Sequence, residues 1–387
     1  MASYDVAVVG TGIIGSFTAL HLADAGFRLL VVDRAGIAAG TSRASDGNLL
    51  ISDKSPGVLF DLTVESFRHW DAMIAALGNH CEHDRKGATL ATLDPARRDK
   101  LRAHADAHAA RGIRVEMLEP EDLRRVEPAL HPGVPAAAWW PDDRQVQPML
   151  ACYQIARHLK ARGVEYRLAD ELLRIEPSAG GIQLRFGAAP DVACGHLVLC
   201  TGVWTPSLLK PLGIALPILP RKGQIAVVER SDLPVRTKIA DFAYNDLVEE
   251  IDPADARPQT AAIVERTRSG TILCGSSRQF VGLDTRVDPA VIARIVGDCL
   301  KFVPGLAKLR VIRGYAGLRP CTPDGLPAIG PVDAHGRIYV ATGHEGTGHG
   351  LAGATGAMVA ALLTGKGHPL AKACDPKRFA QPGDTRP

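Results

Sequence analysis
A chain of 387 residues, 46% of them apolar, is long enough for two domains with substantial cores. Its 45 Lys and Arg are nearly balanced by 42 Asp and Glu, for a formal net charge of +3, and they are scattered, so nothing here attracts nucleic acid or an anionic membrane. The eight cysteines lack the spacing of a zinc or iron–sulfur ligand set, and the apolar stretches are too short and glycine-rich for a span of about 20 residues; the expectation is a soluble, cytoplasmic protein with buried thiols, no metal and no transmembrane segment.

The chain opens with "YDVAVVG", a continuous apolar run ending at glycine, the pattern of a strand buried on both faces. "IIGSFTALHLADAG" has helical spacing and stops at Gly26, a favourable residue just past a helix end, and "RLLVVDR" is a second buried strand. From Arg85 the texture changes. "GATLATL" reads as a half-buried strand, "DPARRDKLRAHADAHAARG" as a polar surface helix begun at an Asp-Pro cap, and "EPEDLRRVEPAL" as a short helix. A helix returns from Pro148 to Arg162, and "VEYRLADELLRIEP", "GIQLRF" and "HLVLCTG" supply strands. Between Pro217 and Arg319, strand patterns such as "GQIAVVE" and "TILCGSS" alternate with loops and one helix, "PAVIARIVGDCLKFVP". "RIYVATG" and a final helix follow. The implied class is α/β plus α+β. A Rossmann-type domain is assembled from residues 1–84, 136–216 and 318–375, a mainly antiparallel domain is inserted as 85–135 and 217–317, and 376–387 form a tail.

Gly10, Gly12 and Gly15 stand where the first strand turns into the first helix. In this pattern the first glycine permits the turn, the second lets a pyrophosphate approach the backbone, and the third lets helix and strand pack closely. Ile13 and Ile14 begin the helix, whose N-terminus offers N–H groups to phosphates. Asp33 ends the second strand, about 20 residues on, where an acid hydrogen-bonds an adenosine ribose. The fingerprint binds ADP and does not separate NAD from FAD. The following segment, with Thr41, Ser42, Arg43, Ser45, Gly47 and Asn48, suits a long extended cofactor; a generic polar loop is the alternative.

The separated motifs "VVGTGIIG", "VVDR", "GTSRASDGN", "LVLCTGVWTP", "PRKGQIAVV" and "GLRPCTPDGLPAIGP", in that order before a closing glycine-rich segment, resemble the D-amino-acid oxidase superfamily of FAD enzymes, especially its glycine-oxidase-like members. "SDGNLL", "SGTILCGSSRQFVG" and "GHEGTGHGLAGATG" are most similar to the flavoprotein β subunits of opine oxidase, hydrogen cyanide synthase and D-hydroxyproline dehydrogenase. The resemblance implies a Rossmann-type FAD domain with an inserted substrate domain. It implies Gly10, Gly12 and Gly15 at the pyrophosphate, Asp33 on the ribose and Arg34 beside the adenosine. Thr41, Ser42 and Arg43 would follow the diphosphate, and Gly47, Asn48 and Leu49 would reach the flavin edge. Leu172 matches the adenine contact, though the family usually has valine there, and Thr201 and Gly202 match another close approach. Some relatives attach flavin through a cysteine; the matching position here is Gly317, and Cys321 does not align, so FAD is expected to be non-covalent. On the same resemblance the chain is a dehydrogenase β subunit whose partners are a second flavoprotein subunit and a small iron–sulfur subunit; the alternatives are a stand-alone oxidase producing hydrogen peroxide and a non-catalytic flavin-binding scaffold.

Arg319, in "GLRPCTPDG", matches the arginine that anchors the substrate carboxylate in glycine oxidase. A guanidinium fork suits that role; the alternative is a structural arginine paired with Asp324 or another acid. The implied substrate is a small carboxylate-bearing amine (glycine, a D-amino acid, a proline-type imino acid or an opine), and the implied reaction is hydride transfer to flavin N5, giving an imine. His344, Glu345 and His349 are candidates for tuning the amine proton, or else bond locally, and Tyr244 is either a pocket wall or a buried structural residue. "GHEGTGH" is no zincin, because Gly346 and Gly348 interrupt any helix and its histidines are five apart. A second Gly-x-Gly-x-x-Gly, at Gly348, Gly350 and Gly353, comes too late after its strand to be another dinucleotide site. Within the resemblance, Gly348, His349, Gly350 and Leu351 form the loop and helix start that cradle the flavin.

Overall fold
Apolar runs and glycine punctuation divide the chain into two mixed layers. The computed structural model describes residues 3–178, 180–245 and 251–380. β1 (Ser3–Val9), α1 (Ile13–Asp24) and β2 (Leu29–Asp33) form the opening unit, and Gly26 has the positive φ, 89°, that ends α1. A 3-10 turn at Thr41–Ala44 and the short β3 (Asn48–Leu49) lead to α2 (Val58–Leu77). Then come β4 (Ala88–Thr92), α3 (Arg98–Ala109), β5 (Glu116–Leu118), α4 (Pro120–Val126), β6 (Ala136–Trp140) and β7 (Arg144–Gln145). The chain continues through α5 (Pro148–Ala161), β8 (Glu165–Leu168), β9 (Leu172–Ser178), β10 (Gly181–Phe186), β11 (Val192–Leu199) and α6 (Thr205–Leu209). It closes with β12 (Leu219–Val228), β13 (Lys238–Asp241), β14 (Gln259–Arg266), β15 (Ile272–Arg278), α7 (Pro289–Phe302), β16 (Val311–Cys321), β17 (Ala328–Pro331), β18 (Ile338–Thr342) and α8 (Gly348–Leu363).

The first sheet runs β17-β18-β11-β1-β2-β8, with β10 joined to β11 and β9 to β10. Its centre is parallel: β1 pairs with both β11 and β2, and β11 with β18. Val6 and Val8 enter one core while Ala7 and Val9 enter another; burial on both faces is why this strand is apolar throughout rather than alternating. α8 crosses α1 and α2 with its backbone close. A Cβ on Gly356 would stand 2.6 Å from the Phe17 carbonyl oxygen, and one on Gly353 would stand 2.5 Å from His69 Cβ. Gly356→Ala is therefore expected to force the helices apart and to cost about 1–3 kcal/mol, read as a lower urea midpoint with unchanged slope.

The second sheet runs β16-β12-β15-β14-β13-β4-β6-β5 and is antiparallel except for β13 with β4. Ala226, Val228, Ile272 and Cys274 pack against Val291, Ile295 and Cys299 of α7. The opposite face is left to the cavity described below. Three expectations need correction. "GATLATL" is not half-buried: all of Ala88–Thr92 is buried, because β4 lies inside the sheet between β13 and β6, with Leu90 in one core and Ala91 in another. The edges at 135/136 and 317/318 do not follow the pairing. β6 pairs with β4 and β5, and β16 pairs with β12 from Val311 to Cys321, so Arg319 is carried by the second sheet. The segment from 376 is no loose tail at its start, since Pro376–Phe379 forms a turn whose Arg378 pairs with Asp324 at 2.7 Å. α2 was not anticipated. Its buried stripe alternates large apolar residues with Thr63 and Ser66, and Ser66 Oγ accepts the Gly353 N–H at 3.0 Å.

Candidate active site
The turn after β1 forms one end of a continuous cavity of about 1530 Å³. Gly10 has φ 108°, and a Cβ there would overlap the Cys200 carbonyl; one on Gly15 would overlap the Gly10 carbonyl. These two glycines let β1, β11 and the start of α1 meet. Gly12 and Ile13 face the cavity, and no side chain of the capping residue covers the α1 N-terminus. Ser42 Oγ accepts the Ile13 N–H at 2.9 Å, which leaves its own proton for a ligand oxygen. Asp33 accepts from the Thr11 N–H and hydroxyl, both at 2.9 Å, and its residue still lines the cavity. Arg34 lies 4.4 Å from the centroid of the Trp204 ring, and both border the cavity with Leu172, Thr201 and Gly202. Trp204 was not singled out from the sequence; only its place in "TGVWTP" pointed to it.

In the middle of the cavity, the Thr41 hydroxyl donates to the Leu318 carbonyl at 2.7 Å, so the turn at Thr41–Ala44 is fastened onto β16. A Cβ on Gly317 would lie 2.6 Å from Ala44 Cβ, leaving no room for a cysteine there, and Cys321 is fully buried with its Sγ against the Thr322 carbonyl. Asn48 and His349 line the cavity. Asn48 Oδ1 and His349 Nε2 are buried without a hydrogen-bond partner among the described residues. The other ring nitrogen of His349, Nδ1, meets Ser45 Oγ at 3.2 Å, and Trp70 Nε1 donates to its carbonyl at 3.0 Å. Ile14, Arg43 and Gly348 also face this space, whereas Gly15, Gly47, Leu49, Gly350 and Leu351 stand behind its wall. A Cβ on Gly47 would overlap the Val146 carbonyl, and Leu49 and Leu351 are fully buried in the core.

At the other end Arg319, Tyr244, His344 and Glu345 converge. Three guanidiniums surround the buried Glu345 carboxylate: Arg278 at 3.4 Å, Arg221 at 3.7 Å and Arg319 at 4.0 Å. Burial pushes the Glu345 carboxyl up, but the three arginines outweigh it and hold it down at about 2. Arg319 Nη1 donates to the Ser277 carbonyl at 2.9 Å, and its guanidinium lies flat over Gly223, where any Cβ would overlap it. The pairing with Asp324 considered for Arg319 does not occur, because Arg378 holds that acid. Tyr244 both borders the cavity and receives a hydrogen bond from Arg278 Nη2 at 2.6 Å. Burial lowers His344 to about 3, and its Nε2 meets Thr355 Oγ1 at 3.0 Å. Burial likewise lowers His349 to about 4, against a weak upward pull from Asp46. Glu345 is thus held as a carboxylate by its arginines, and burial disfavours the charged form of both histidines. α8 starts only at Gly348, so His344 and His349 do not share a helix face.

The DAO family description, "FAD dependent oxidoreductase", matches residues 5–362. The chain belongs to the DAO family. Glycine oxidase of Bacillus licheniformis is 28% identical over 366 residues, 94% of this chain and 93% of that protein. D-amino acid dehydrogenase of Xylella fastidiosa (strain 9a5c) is 27% identical over 422 residues, 92% of this chain and 91% of that protein. Among solved structures, L-proline dehydrogenase from P. horikoshii superposes with a TM-score of 0.86 at 21% identity, over 97% of this chain and 98% of that one. Glycine oxidase from Geobacillus kaustophilus also reaches 0.86, at 22% identity over 98% and 100%. These likenesses establish the DAO fold and an FAD-dependent oxidoreductase. The cavity fits that cofactor: a glycine-built turn opens a helix N-terminus to phosphate, and Asn48 and His349, each with a buried polar atom that has no partner among the described residues, line the same space. Among the described residues, no helix is long and apolar enough to cross a membrane.

Proposed function
We propose that the protein oxidises the C–N bond of an amine that bears a carboxylate, giving an imine that water hydrolyses. The observation that carries this reading is Arg319: it meets Glu345 together with Arg278 and Arg221, and it is the arginine of that group that lines the cavity. Its planar fork receives a carboxylate bidentately. Tyr244, fixed by Arg278, closes the same end. FAD, when bound, supplies a two-electron acceptor. Gly10, Gly12, Ser42 and Asp33 are the residues to hold its ADP half, and Asn48, Gly348 and His349 those to hold its flavin. The N-terminus of α8 adds a partial positive charge where electron density is received.

The amine must be neutral to be oxidised. The Arg319 cation beside the bound substrate disfavours the ammonium form, so the substrate sheds its proton to water. Anaerobic mixing with glycine, D-amino acids, cyclic imino acids and opines tests the reading. One of these bleaches the flavin absorbance, while the matching amine without a carboxylate does not. Equal bleaching by both, or none at all, overturns it.

We propose further that the electrons leave to partner proteins, a second flavoprotein subunit and a small iron–sulfur subunit. The likeness of "SDGNLL" and "GHEGTGHGLAGATG" to dehydrogenase β subunits supports this. Rapid hydrogen peroxide release in air would instead support a stand-alone oxidase.

A further inference from the structure
The second sheet uses its two faces for different purposes. Ala226 and Val228 of β12, with Ile272 and Cys274 of β15, fill the core under α7. The alternate residues Ile225, Val227 and Leu273 line the cavity, as does Tyr315 of β16. Pairing places these side chains together: Tyr315 is opposite Ile225, and Leu273 is opposite Val227. They form a strip that begins at the carboxylate anchor, because the Arg319 guanidinium lies over Gly223. At a strand rise of about 3.3 Å per residue, Ile225 is about 7 Å and Val227 about 13 Å further along β12. The strip then reaches Val287 and Ile312, which border the cavity mouth at 40% and 58% exposure. An inner sheet face that turns apolar side chains toward a cavity is built to be covered by apolar atoms.

We propose that this strip is the side-chain subsite of the enzyme: the substrate carries, on its α-carbon or its nitrogen, an extended apolar group that lies along Ile225, Val227, Leu273 and Tyr315 while Arg319 holds its carboxylate. The inference rests on the proposed amine oxidation and names its substrate class; glycine is then a poor substrate.

Straight-chain carboxylates of two to eight carbons, titrated calorimetrically into the FAD-loaded protein, test the subsite without turnover. Affinity rises by about fourfold per added methylene, the value of a buried CH₂, over at least the first several carbons. A parallel anaerobic series, from glycine through the two-, three- and four-carbon side chains in both enantiomers, shows the flavin-reduction rate constant over Kd rising in step. Leu273→Trp and Val227→Phe fill the strip and shrink the ratio of long-chain to short-chain affinity at least tenfold, with the flavin spectrum confirming a loaded, folded protein. Chain-length-independent binding, or filled variants with the wild-type ratio, overturns the inference. Bleaching by glycine alone overturns it and leaves the amine-oxidation reading standing. Chain-length-dependent binding with no bleaching by any amine overturns that reading and leaves the subsite.

Discussion

Arg319→Ala lowers kcat/KM for every carboxylate-bearing substrate by about a hundredfold or more, on the order of 3 kcal/mol, with FAD still bound. The size follows from where the guanidinium sits. It is mostly buried, its Nη1 is committed to the Ser277 carbonyl, its Nη2 meets Ser276 Oγ at 3.5 Å, and it rests on a glycine floor, so the guanidinium that lines the cavity is held in a fixed plane. Removing it leaves the incoming carboxylate desolvated without a bidentate partner. Arg319→Lys restores the charge without the fork and falls between the two. The residues proposed to hold the cofactor, Gly10, Ser42 and Asn48, lie elsewhere, so the flavin spectrum is retained. A purely structural Arg319 gives the opposite pattern: a lowered melting temperature, and unchanged KM in the protein that remains folded. Stopped-flow reduction at a series of substrate concentrations separates the two, since the loss expected here lies chiefly in Kd.

The parts of the site legible in the sequence are those where a residue type has one physical use. Gly10, Gly15 and Asp33 are of this kind: two backbones cannot approach so closely with a Cβ between them, and a single acid ends the second strand. Arg319 was found by its place in a motif, and its neighbours were not. Arg221 and Arg278 are separated from it by long stretches of chain and meet it only because β12 pairs with β16 and β15 lies alongside. Periodicity does not report which cations share one carboxylate. For the same reason the sequence offers Glu345 as a proton-tuning candidate: it shows an acid between a histidine and a glycine and hides the three arginines around it. α2 escaped because its buried stripe includes the polar Thr63 and Ser66, the latter packed against Gly353 of α8. The second glycine pattern was legible as something other than a dinucleotide site. Its last member, Gly353, proves to be a helix-crossing residue, as is Gly356 beyond it.

Glu345→Gln moves folding and ligand binding in opposite directions. The folded carboxyl is held at about 2 against an ordinary value of 4.5, so its ionisation contributes about 3 kcal/mol to stability. Because the folded value is depressed, that contribution is complete above about pH 4.5 and is lost as the pH falls through about 2. Replacing the carboxylate leaves Arg221, Arg278 and Arg319 buried without it, a change that costs about 3–5 kcal/mol. The urea midpoint at pH 7 therefore drops, and the variant no longer loses this increment between pH 4.5 and 2. The same substitution makes the cavity end more positive. A carboxylate ligand then takes over part of the lost counter-ion's role, binds the variant more tightly, and raises its midpoint more than it raises that of the wild type. Holding ionic strength fixed is essential, because salt anions compete for the same charge. If the midpoint at pH 7 is unchanged, Glu345 does not hold the cluster. If stability falls but carboxylate affinity falls with it, the guanidiniums need Glu345 for their orientation more than the ligand gains from their charge.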